Sequence, residues 1–185
     1  MGAEGLHCAR DGIVRGCRYV PSPNCDERPA HETVSLLVVH SISLPPGTYG
    51  GDFVERFFTN RLDPDAHPYF EAIKDLRVSA HFFLRRDGEV VQFVPVGRRA
   101  WHAGASSWRG RARCNDFSVG VELEGLDDAG YEPRQYERLA ELVGALRAAI
   151  PLAGIAAHSD IAPGRKTDPG PLFDWPHFLA RLAHS

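Results

Sequence analysis

The apolar positions of the chain change their period several times, and each change predicts a new strand or helix. Five stretches have strand-like patterns: residues 33–40, 78–85, 89–95, 117–124 and 152–158. The first is a β-branched apolar run, which is typical of a strand buried on both faces of a sheet. The second and third flank the pair Asp87-Gly88, and this arrangement predicts a β-hairpin.

Helical spacing is clearest between residues 133 and 150. Apolar side chains recur there every three or four positions, at Tyr136, Leu139, Ala140, Val143, Leu146 and Ile150. Charged residues occupy the opposite side, so we expect an amphipathic helix that covers a sheet. Shorter helices are predicted at residues 52–58 and 174–183. Together these elements predict an α/β fold with a central mixed sheet flanked by helices.

Composition limits the possible partners. The 185 residues, 43% of them hydrophobic and 24% charged, fit one globular domain over residues 1–185. A net charge of -3 gives no electrostatic reason to expect nucleic acid or an anionic membrane as a partner. No apolar stretch approaches the roughly 20 residues of a membrane span. The default oligomeric state is a monomer.

The cysteines and the amino terminus favour the cytoplasm. The four cysteines, Cys8, Cys17, Cys25 and Cys114, show no C-x-x-C spacing. The first residues, M-G-A-E-G-L-H-C-A-R-D-G, lack the basic and then apolar run of a signal peptide. We therefore expect reduced thiols and a cytoplasmic location.

Candidate chemistry is concentrated in residues 155–171, I-A-A-H-S-D-I-A-P-G-R-K-T-D-P-G-P. One short irregular loop is expected to hold His158, Lys166 and Asp168. Imidazole and carboxylate groups bind zinc, and an ammonium group can stabilise developing negative charge. The alternative is a solvated connection, as most Pro- and Gly-rich loops are. A second imidazole, His40 at the end of S-L-L-V-V-H, favours a metal site.

Six motifs, in order over about residues 21–175, resemble one enzyme family. They are V-V-H-S-I-S-L-P-P-G, D-P-x-A-H-P-Y-F, L-R-V-S-A-H-F-F-L-R-R-D-G-E-V-V-Q-F-V-P, R-A-W-H-A-G, C-N-D-F-S-V-G-V-E-L-E-G and R-K-T-D-P-G-P-x-F-D-W. Together they resemble the AmpD-type cytosolic 1,6-anhydro-N-acetylmuramyl-L-alanine amidases of the zinc amidase and peptidoglycan-recognition-protein superfamily. The resemblance implies the fold of that superfamily, a Zn²⁺ cofactor and a 1,6-anhydromuropeptide substrate.

The resemblance also implies roles for individual residues. His40, His158 and Asp168 would bind zinc, and three protein ligands leave a fourth position for water. Glu122 and Lys166 would form the catalytic pair, although Lys166 by itself also fits a solvated surface lysine. Two carboxylates share one face of the strand V-G-V-E-L-E-G, and the family pattern favours Glu122 over the next acidic residue, Glu124.

Three further family positions are expected near the zinc ion and the sugar. Tyr69 would lie near the zinc-site water, but an aromatic residue before Phe70 fits core packing about equally well. Trp101 would form an apolar wall for the anhydro sugar, and His102 would line the site or position the substrate.

Arginines are the expected partners of the peptide-stem carboxylates, because a guanidinium group binds a carboxylate in a bidentate manner. The candidates are Arg77, Arg113 and Arg165. Two positions depart from the family pattern. Ser41 replaces an asparagine that would contact substrate, and Gly164 replaces an acidic residue in the loop of Lys166, where it is expected to loosen the chain.

The expected function is hydrolysis of the amide bond between 1,6-anhydro-N-acetylmuramic acid and L-alanine in cell-wall recycling. Two alternatives remain at this point. One is a general N-acetylmuramoyl-L-alanine amidase that acts on intact peptidoglycan, against which the missing signal peptide counts. The other is a non-catalytic muropeptide-binding module, against which the complete set of ligand and catalytic residues counts.

Overall fold

A six-stranded mixed sheet forms the centre of the computed structural model, which describes residues 5–183. Its strands are β1 (Arg18–Tyr19), β2 (Leu36–Ile42), β3 (Phe82–Leu84), β4 (Val90–Gln92), β5 (Ser118–Glu124) and β6 (Gly154–Ala157). Their order across the sheet is β6-β2-β5-β3-β4-β1. The β3 and β4 strands form the predicted antiparallel hairpin, and the other neighbouring pairs are parallel. The prediction of a central mixed sheet is confirmed.

Five α-helices lie within the described residues. They are α1 (Phe53–Phe58), α2 (Pro68–Glu71), α3 (Pro133–Arg147), α4 (His158–Ile161) and α5 (Trp175–Leu182). Two 3-10 turns (Pro64–Ala66 and Cys114–Asp116) and three short antiparallel ribbons complete the described elements. The ribbons pair His7–Cys8 with Val14–Arg15, Cys25–Asp26 with Arg99–Ala100, and Ser107–Trp108 with Arg111–Ala112. The predicted helices correspond to α1, α3 and α5.

Alternation along β2 and β5 divides their side chains between two faces of the sheet. Leu37, Val39, Val119 and Val121 lie in one apolar core together with α3. This helix begins at Pro133, and it buries its predicted apolar face on the sheet. The apolar face of the two strands, which repeats every two residues, therefore packs against the apolar face of α3, which repeats with the helical period.

The opposite face of the same two strands has polar positions. Register pairs Leu36 with Ser118, Val38 with Gly120, and His40 with Glu122. Residues paired in a parallel sheet project to the same side, so His40 and Glu122 lie side by side on this face. The candidate site therefore lies on the face away from α3.

Several predicted boundaries need correction. The strand predicted at residues 33–40 spans Leu36–Ile42, because the pairing with β5 continues for two residues beyond His40. The long helix ends at Arg147 rather than at residue 150. Residues 155–171 are not wholly irregular: they include most of β6 and all of α4.

The structure also bears on the expectations about cysteines and membranes. All four cysteines are free, as expected. Among residues 5–183, no helix has both the length and the apolar character needed to cross a bilayer. The start of the amino-terminal sequence, on which the prediction about a signal peptide depends, lies outside the described residues.

Candidate metal centre and active-site cavity

Three potential metal ligands converge at one point on the polar face of the sheet. Nδ1 of His40 lies 2.9 Å from Nδ1 of His158 and 3.3 Å from Oδ2 of Asp168. Nδ1 of His158 lies 3.0 Å from the same carboxylate oxygen. All three side chains are almost completely buried. The three predicted ligands are thus brought together from distant parts of the chain.

The parallel sheet explains this convergence. His40 lies near the carboxyl end of β2, and His158 directly follows β6, the neighbouring strand. Carboxyl ends of parallel strands meet at the same edge, which is where α/β sheets form their sites. Asp168 then returns from the following loop, whose backbone carbonyl at Asp168 accepts a hydrogen bond from Ser159 N–H at 3.0 Å.

A chain of hydrogen bonds determines which nitrogen of His40 is protonated. The Cys114 carbonyl can only accept, so the Ser118 hydroxyl donates to it over 2.6 Å. The Ser118 oxygen is then free to accept from Nε2 of His102, 3.1 Å away. This leaves Nδ1 of His102 as an acceptor for Nε2–H of His40 at 2.9 Å. The Nδ1 of His40 therefore presents a lone pair to the convergence point.

The second histidine is oriented in the same way. Nε2 of His158 faces the Ala103 carbonyl at 3.4 Å, which places its proton on Nε2 and its lone pair on Nδ1. Burial lowers the pKa of His40 to about 4, which keeps this imidazole neutral at pH 7. Two lone pairs and a carboxylate at about 3 Å from one another repel, and a cation between them removes that repulsion.

The donor set fits zinc. Two imidazoles and one carboxylate are common ligands of catalytic zinc, which keeps an open position for water. Ligands at about 2.0–2.1 Å from a tetrahedral ion lie about 3.3–3.4 Å apart. The observed separations of 2.9, 3.0 and 3.3 Å are close to that value. His40, His158 and Asp168 are therefore the residues that would hold the ion.

Glu122 borders this centre from β5. Its Oε2 is buried and has no hydrogen-bond partner among the described residues. Burial raises the pKa of Glu122 well above its ordinary value, and the negative charge of Asp168 adds to this. A carboxylate with a raised pKa and a free oxygen is suited to accepting a proton from a reactant.

Glu124, the second carboxylate on this strand face, has a different environment. Its two oxygens accept backbone N–H groups of Gly50 at 2.5 Å and Arg86 at 3.0 Å. Both carboxylate oxygens are thus engaged by the backbone, which indicates a structural role. The choice of Glu122 over Glu124 is consistent with this geometry.

Lys166 and Asp168 both face the cavity, whereas Thr167 between them does not line it. The Thr167 hydroxyl donates to Oδ2 of Asp127. The other oxygen of Asp127 accepts from the Ser41 hydroxyl at 2.9 Å. Asp127, which also lines the cavity, therefore connects the end of β2 to the loop of Lys166. Gly164 has a φ of +75°, a conformation that favours glycine over an acidic residue.

The cavity beside the three ligands has a volume of about 330 Å³. It is bordered by most of the predicted catalytic and binding side chains, namely Ser41, Tyr69, Trp101, His102, Glu122, His158, Lys166 and Asp168. Tyr69 lies on α2, one turn of helix that the sequence pattern did not predict, and its side chain is partly exposed. Both ring nitrogens of His102 contact protein groups, which leaves its ring edge for the cavity.

The three predicted arginines do not border this cavity. Arg77 donates to the carbonyls of Lys74 and Leu76, and it lines a neighbouring pocket. Arg113 is largely exposed and pairs with Asp116 at 3.0 Å. Arg165 donates to the carbonyls of Ala103 and Ala105, both at 2.7 Å.

Comparison with known proteins identifies the family. The sequence profile of the N-acetylmuramoyl-L-alanine amidase family matches residues 30–171. The chain belongs to this family. The 1,6-anhydro-N-acetylmuramyl-L-alanine amidase AmpD of Salmonella typhimurium is 56% identical to this amidase over 176 residues, which cover 94% of both chains. The AmpD of Escherichia coli is also 56% identical, over 90% of this chain and 92% of its own.

Solved structures agree with the sequence comparison. A crystal structure of a selenomethionine AmpD derivative matches this amidase with a TM-score of 0.91 at 55% identity, covering 93% of this chain and 97% of that one. A complex of AmiD from E. coli with anhydro-N-acetylmuramic acid-L-Ala-D-gamma-Glu-L-Lys has a TM-score of 0.60 at 28% identity. It covers 96% of this amidase and 65% of AmiD. The family resemblance predicted from the six motifs is confirmed.

Sequence patterns did not single out three residues around the metal ligands. Ser118 and Gly120 lie on the same strand face as Glu122, four and two positions before it respectively. Oδ1 of Asn115 accepts the backbone N–H groups of His102 at 3.1 Å and of Ala103 at 2.8 Å. All three belong to the motif C-N-D-F-S-V-G-V-E. Alternation along the strand, counted backwards from Glu122, could have placed Ser118 and Gly120 on the same face.

Proposed function

We propose that this amidase uses Zn²⁺ to hydrolyse the amide bond between 1,6-anhydro-N-acetylmuramic acid and the L-alanine of a muropeptide, in cell-wall recycling. The observation that carries the proposal is that His158, Asp168, Glu122 and Lys166 border one cavity, while His40 contacts His158 and Asp168 at its edge. The names of the relatives at 56% identity support the choice of bond and of the anhydro sugar.

His40, His158 and Asp168 would hold the metal ion. When bound, zinc supplies Lewis acidity that polarises the amide carbonyl and lowers the pKa of water. The chain contributes a fixed orientation of the ligands, because the outer nitrogens of both imidazoles already contact protein acceptors.

Glu122 acts as the general base. Its unpartnered Oε2 accepts a proton from the attacking water as the water oxygen bonds to the amide carbon. The protonated carboxyl group then returns that proton to the departing nitrogen of L-alanine. Glu122 borders the cavity and its Oε2 is not engaged by the protein, which leaves this oxygen available for proton exchange with the reactants.

Lys166 stabilises the negative charge that develops on the carbonyl oxygen. Lys166 lines the same cavity as Glu122 and Asp168. A cation fixed beside the oxyanion acts mainly in the transition state, and therefore raises the rate more than the affinity.

The remaining cavity residues would bind the substrate. Trp101 supplies aromatic surface for the sugar, and the ring edge of His102 borders the same space. Tyr69 also lines this cavity, and we assign it to the position near the zinc-site water. Ser41 has a hydroxyl at the cavity wall, although Asp127 already accepts its hydrogen bond. The E. coli AmiD complex contains an anhydro-muramyl tripeptide, a ligand of the proposed class.

We assign the peptide-stem carboxylates to Arg77, Arg113 and Arg165. Arg77 is the best supported, because its pocket and the main cavity share Phe57, Ile73 and Leu76 as lining residues. A peptide that extends beyond Leu76 would pass from the cavity towards this arginine. A monomer in the cytoplasm is the state in which we expect the enzyme to act.

The proposal is tested by mass spectrometry of the products formed from paired substrates. One substrate carries the 1,6-anhydro sugar and the other carries the ordinary reducing sugar, with the same peptide stem. We expect release of the intact peptide from the anhydro form at a clearly higher kcat/KM. Equal rates on both, or cleavage of intact peptidoglycan, would favour a general amidase. Binding without cleavage by the zinc-loaded protein would favour a recognition module.

A further inference from the structure

His102 contacts the metal centre from the side opposite the ion. Its ring meets the ring of His40 edge to face, with centroids 5.0 Å apart, and its Nδ1 lies 2.9 Å from Nε2 of His40. It is buried, and its own Nε2 is bound to Ser118. A histidine in this position contacts the ligand and not the ion.

The backbone around His102 is fixed by one side chain. Oδ1 of Asn115 accepts the N–H groups of both His102 and Ala103. The Ala103 carbonyl in turn faces Nε2 of His158. A two-residue segment held by Asn115 therefore contacts the outer nitrogens of both histidine ligands.

The sheet leaves space for the His102 ring at Gly120. A Cβ atom at this position would lie 2.5 Å from Cγ and 2.6 Å from Nδ1 of His102, closer than side-chain atoms approach one another. Gly120 has no positive φ, so its backbone alone does not require glycine. Glycine is required at position 120 because the His102 ring packs in the space that a side chain would fill.

We propose that His102 is a positioning residue of the metal site: as a neutral acceptor for Nε2–H of His40, it holds the Nδ1 lone pair of His40 towards the ion. The chain His40 to His102 to Ser118 to the Cys114 carbonyl has a donor and an acceptor at every contact. If His102 instead carried its proton on Nδ1, this N–H and the Nε2–H of His40 would both be donors and could not form a hydrogen bond. The network thus selects the metal-binding tautomer of His40 before the ion arrives.

This role rests on the proposed zinc chemistry, but its tests measure metal affinity and proton positions rather than turnover. Removing an outer-sphere partner of a metal-bound histidine typically weakens metal binding by about 10- to 100-fold. We therefore expect the zinc Kd of His102→Ala, from competition with a fluorescent chelator, to rise by about that factor. His102→Asn should recover much of the loss, because its amide oxygen can lie near the position of Nδ1 and accept the same hydrogen bond.

Two further variants separate this role from general effects. Gly120→Ala keeps every hydrogen-bonding group but displaces the ring, so it should also raise the zinc Kd. His31→Ala changes a largely exposed histidine and serves as the matched control with an unchanged Kd. Zinc affinity of His102→Ala within threefold of the parent protein would overturn the proposal. Failure of the parent protein to bind zinc would instead overturn the proposed function itself.

Imidazole ¹⁵N NMR of the unaltered, zinc-loaded protein tests the proposal without any substitution. We expect both His40 and His102 to carry their proton on Nε2, with Nδ1 of His102 unprotonated. A proton on Nδ1 of His102 would overturn the proposal, because that nitrogen could no longer accept from His40.

Discussion

Glu122 and His40 are paired residues on the two central parallel strands, and their side chains share the face of the sheet that borders the cavity. Their predecessors, Val121 and Val39, point to the core under α3. The proposed base and a metal ligand, 82 positions apart in the sequence, are thus neighbours because β2 and β5 run in the same direction and in register.

This relationship predicts that Glu122→Gln separates binding from chemistry. The amide has nearly the same shape but cannot take a proton, so kcat should fall by about 10²-fold or more. Zinc content and substrate affinity should stay close to those of the parent enzyme. Steady-state kinetics with metal analysis of the purified variant measure both quantities.

Glu124→Gln is the matched control, since it makes the same change two positions along the same strand face. It weakens acceptors for two backbone N–H groups, so we expect a loss of stability and a much smaller loss of kcat. If Glu124→Gln lowered kcat as much as Glu122→Gln, the assignment of the base would be wrong.

The same glutamate should reduce the stability of the metal-free protein at neutral pH. The folded state raises the pKa of Glu122 above its ordinary value of 4.5. At any pH between the pKa of the unfolded state and that of the folded state, the folded protein therefore binds more protons than the unfolded protein. The free energy of unfolding therefore falls as the pH rises through this window. Glu122→Gln removes this ionisable group and should therefore stabilise metal-free protein at pH 7.

This gain should disappear towards pH 4, where the carboxyl group is neutral in both states. Urea denaturation of metal-free parent and variant proteins at pH 7 and pH 4 gives the comparison. Equal stability of the two proteins at pH 7 would show that the folded state does not raise the pKa of Glu122.

Lys166→Ala should lower kcat by about 10²- to 10³-fold with little change in KM, because its charge acts mainly on the transition state. Lys166→Arg should recover only part of the rate, since a planar guanidinium differs in shape and donor geometry from a compact ammonium. The only other lysine of the chain, Lys74, pairs with Glu71 at the surface, and Lys74→Ala is the control. A kcat of Lys166→Ala within a few-fold of the parent would remove this residue from the mechanism.

The long helix and the two central strands could be predicted from the sequence to within a few residues, whereas the hairpin strands predicted at residues 78–85 and 89–95 span only Phe82–Leu84 and Val90–Gln92. The long helix and the two central strands each bury one regular face, and such faces leave a clear pattern in the chain. One-turn helices such as α2 and α4 leave no such pattern. Tyr69 and His158 are therefore placed by elements that depend on their tertiary surroundings.

The metal ligands were predictable for a different reason. Periodicity alone does not choose His40 and His158 among nine histidines, and only the family motifs identified them. The contacts between ligands and their outer partners have no local signal at all. His102 packs over Gly120, which has no side chain, and contacts His40. This contact forms only when β2 and β5 have paired and the loop at residues 101–103 has packed against them.

The most direct test of the whole account is a zinc titration of amidase activity in protein stripped of metal by a chelator. We predict no turnover of the anhydromuropeptide before zinc is added, and then a linear rise that saturates at one zinc ion per chain. His158→Ala should neither retain that ion at micromolar zinc nor reach the same plateau. Full turnover by the metal-free protein, or stoichiometric zinc retained by His158→Ala, would contradict a catalytic site built on His40, His158 and Asp168.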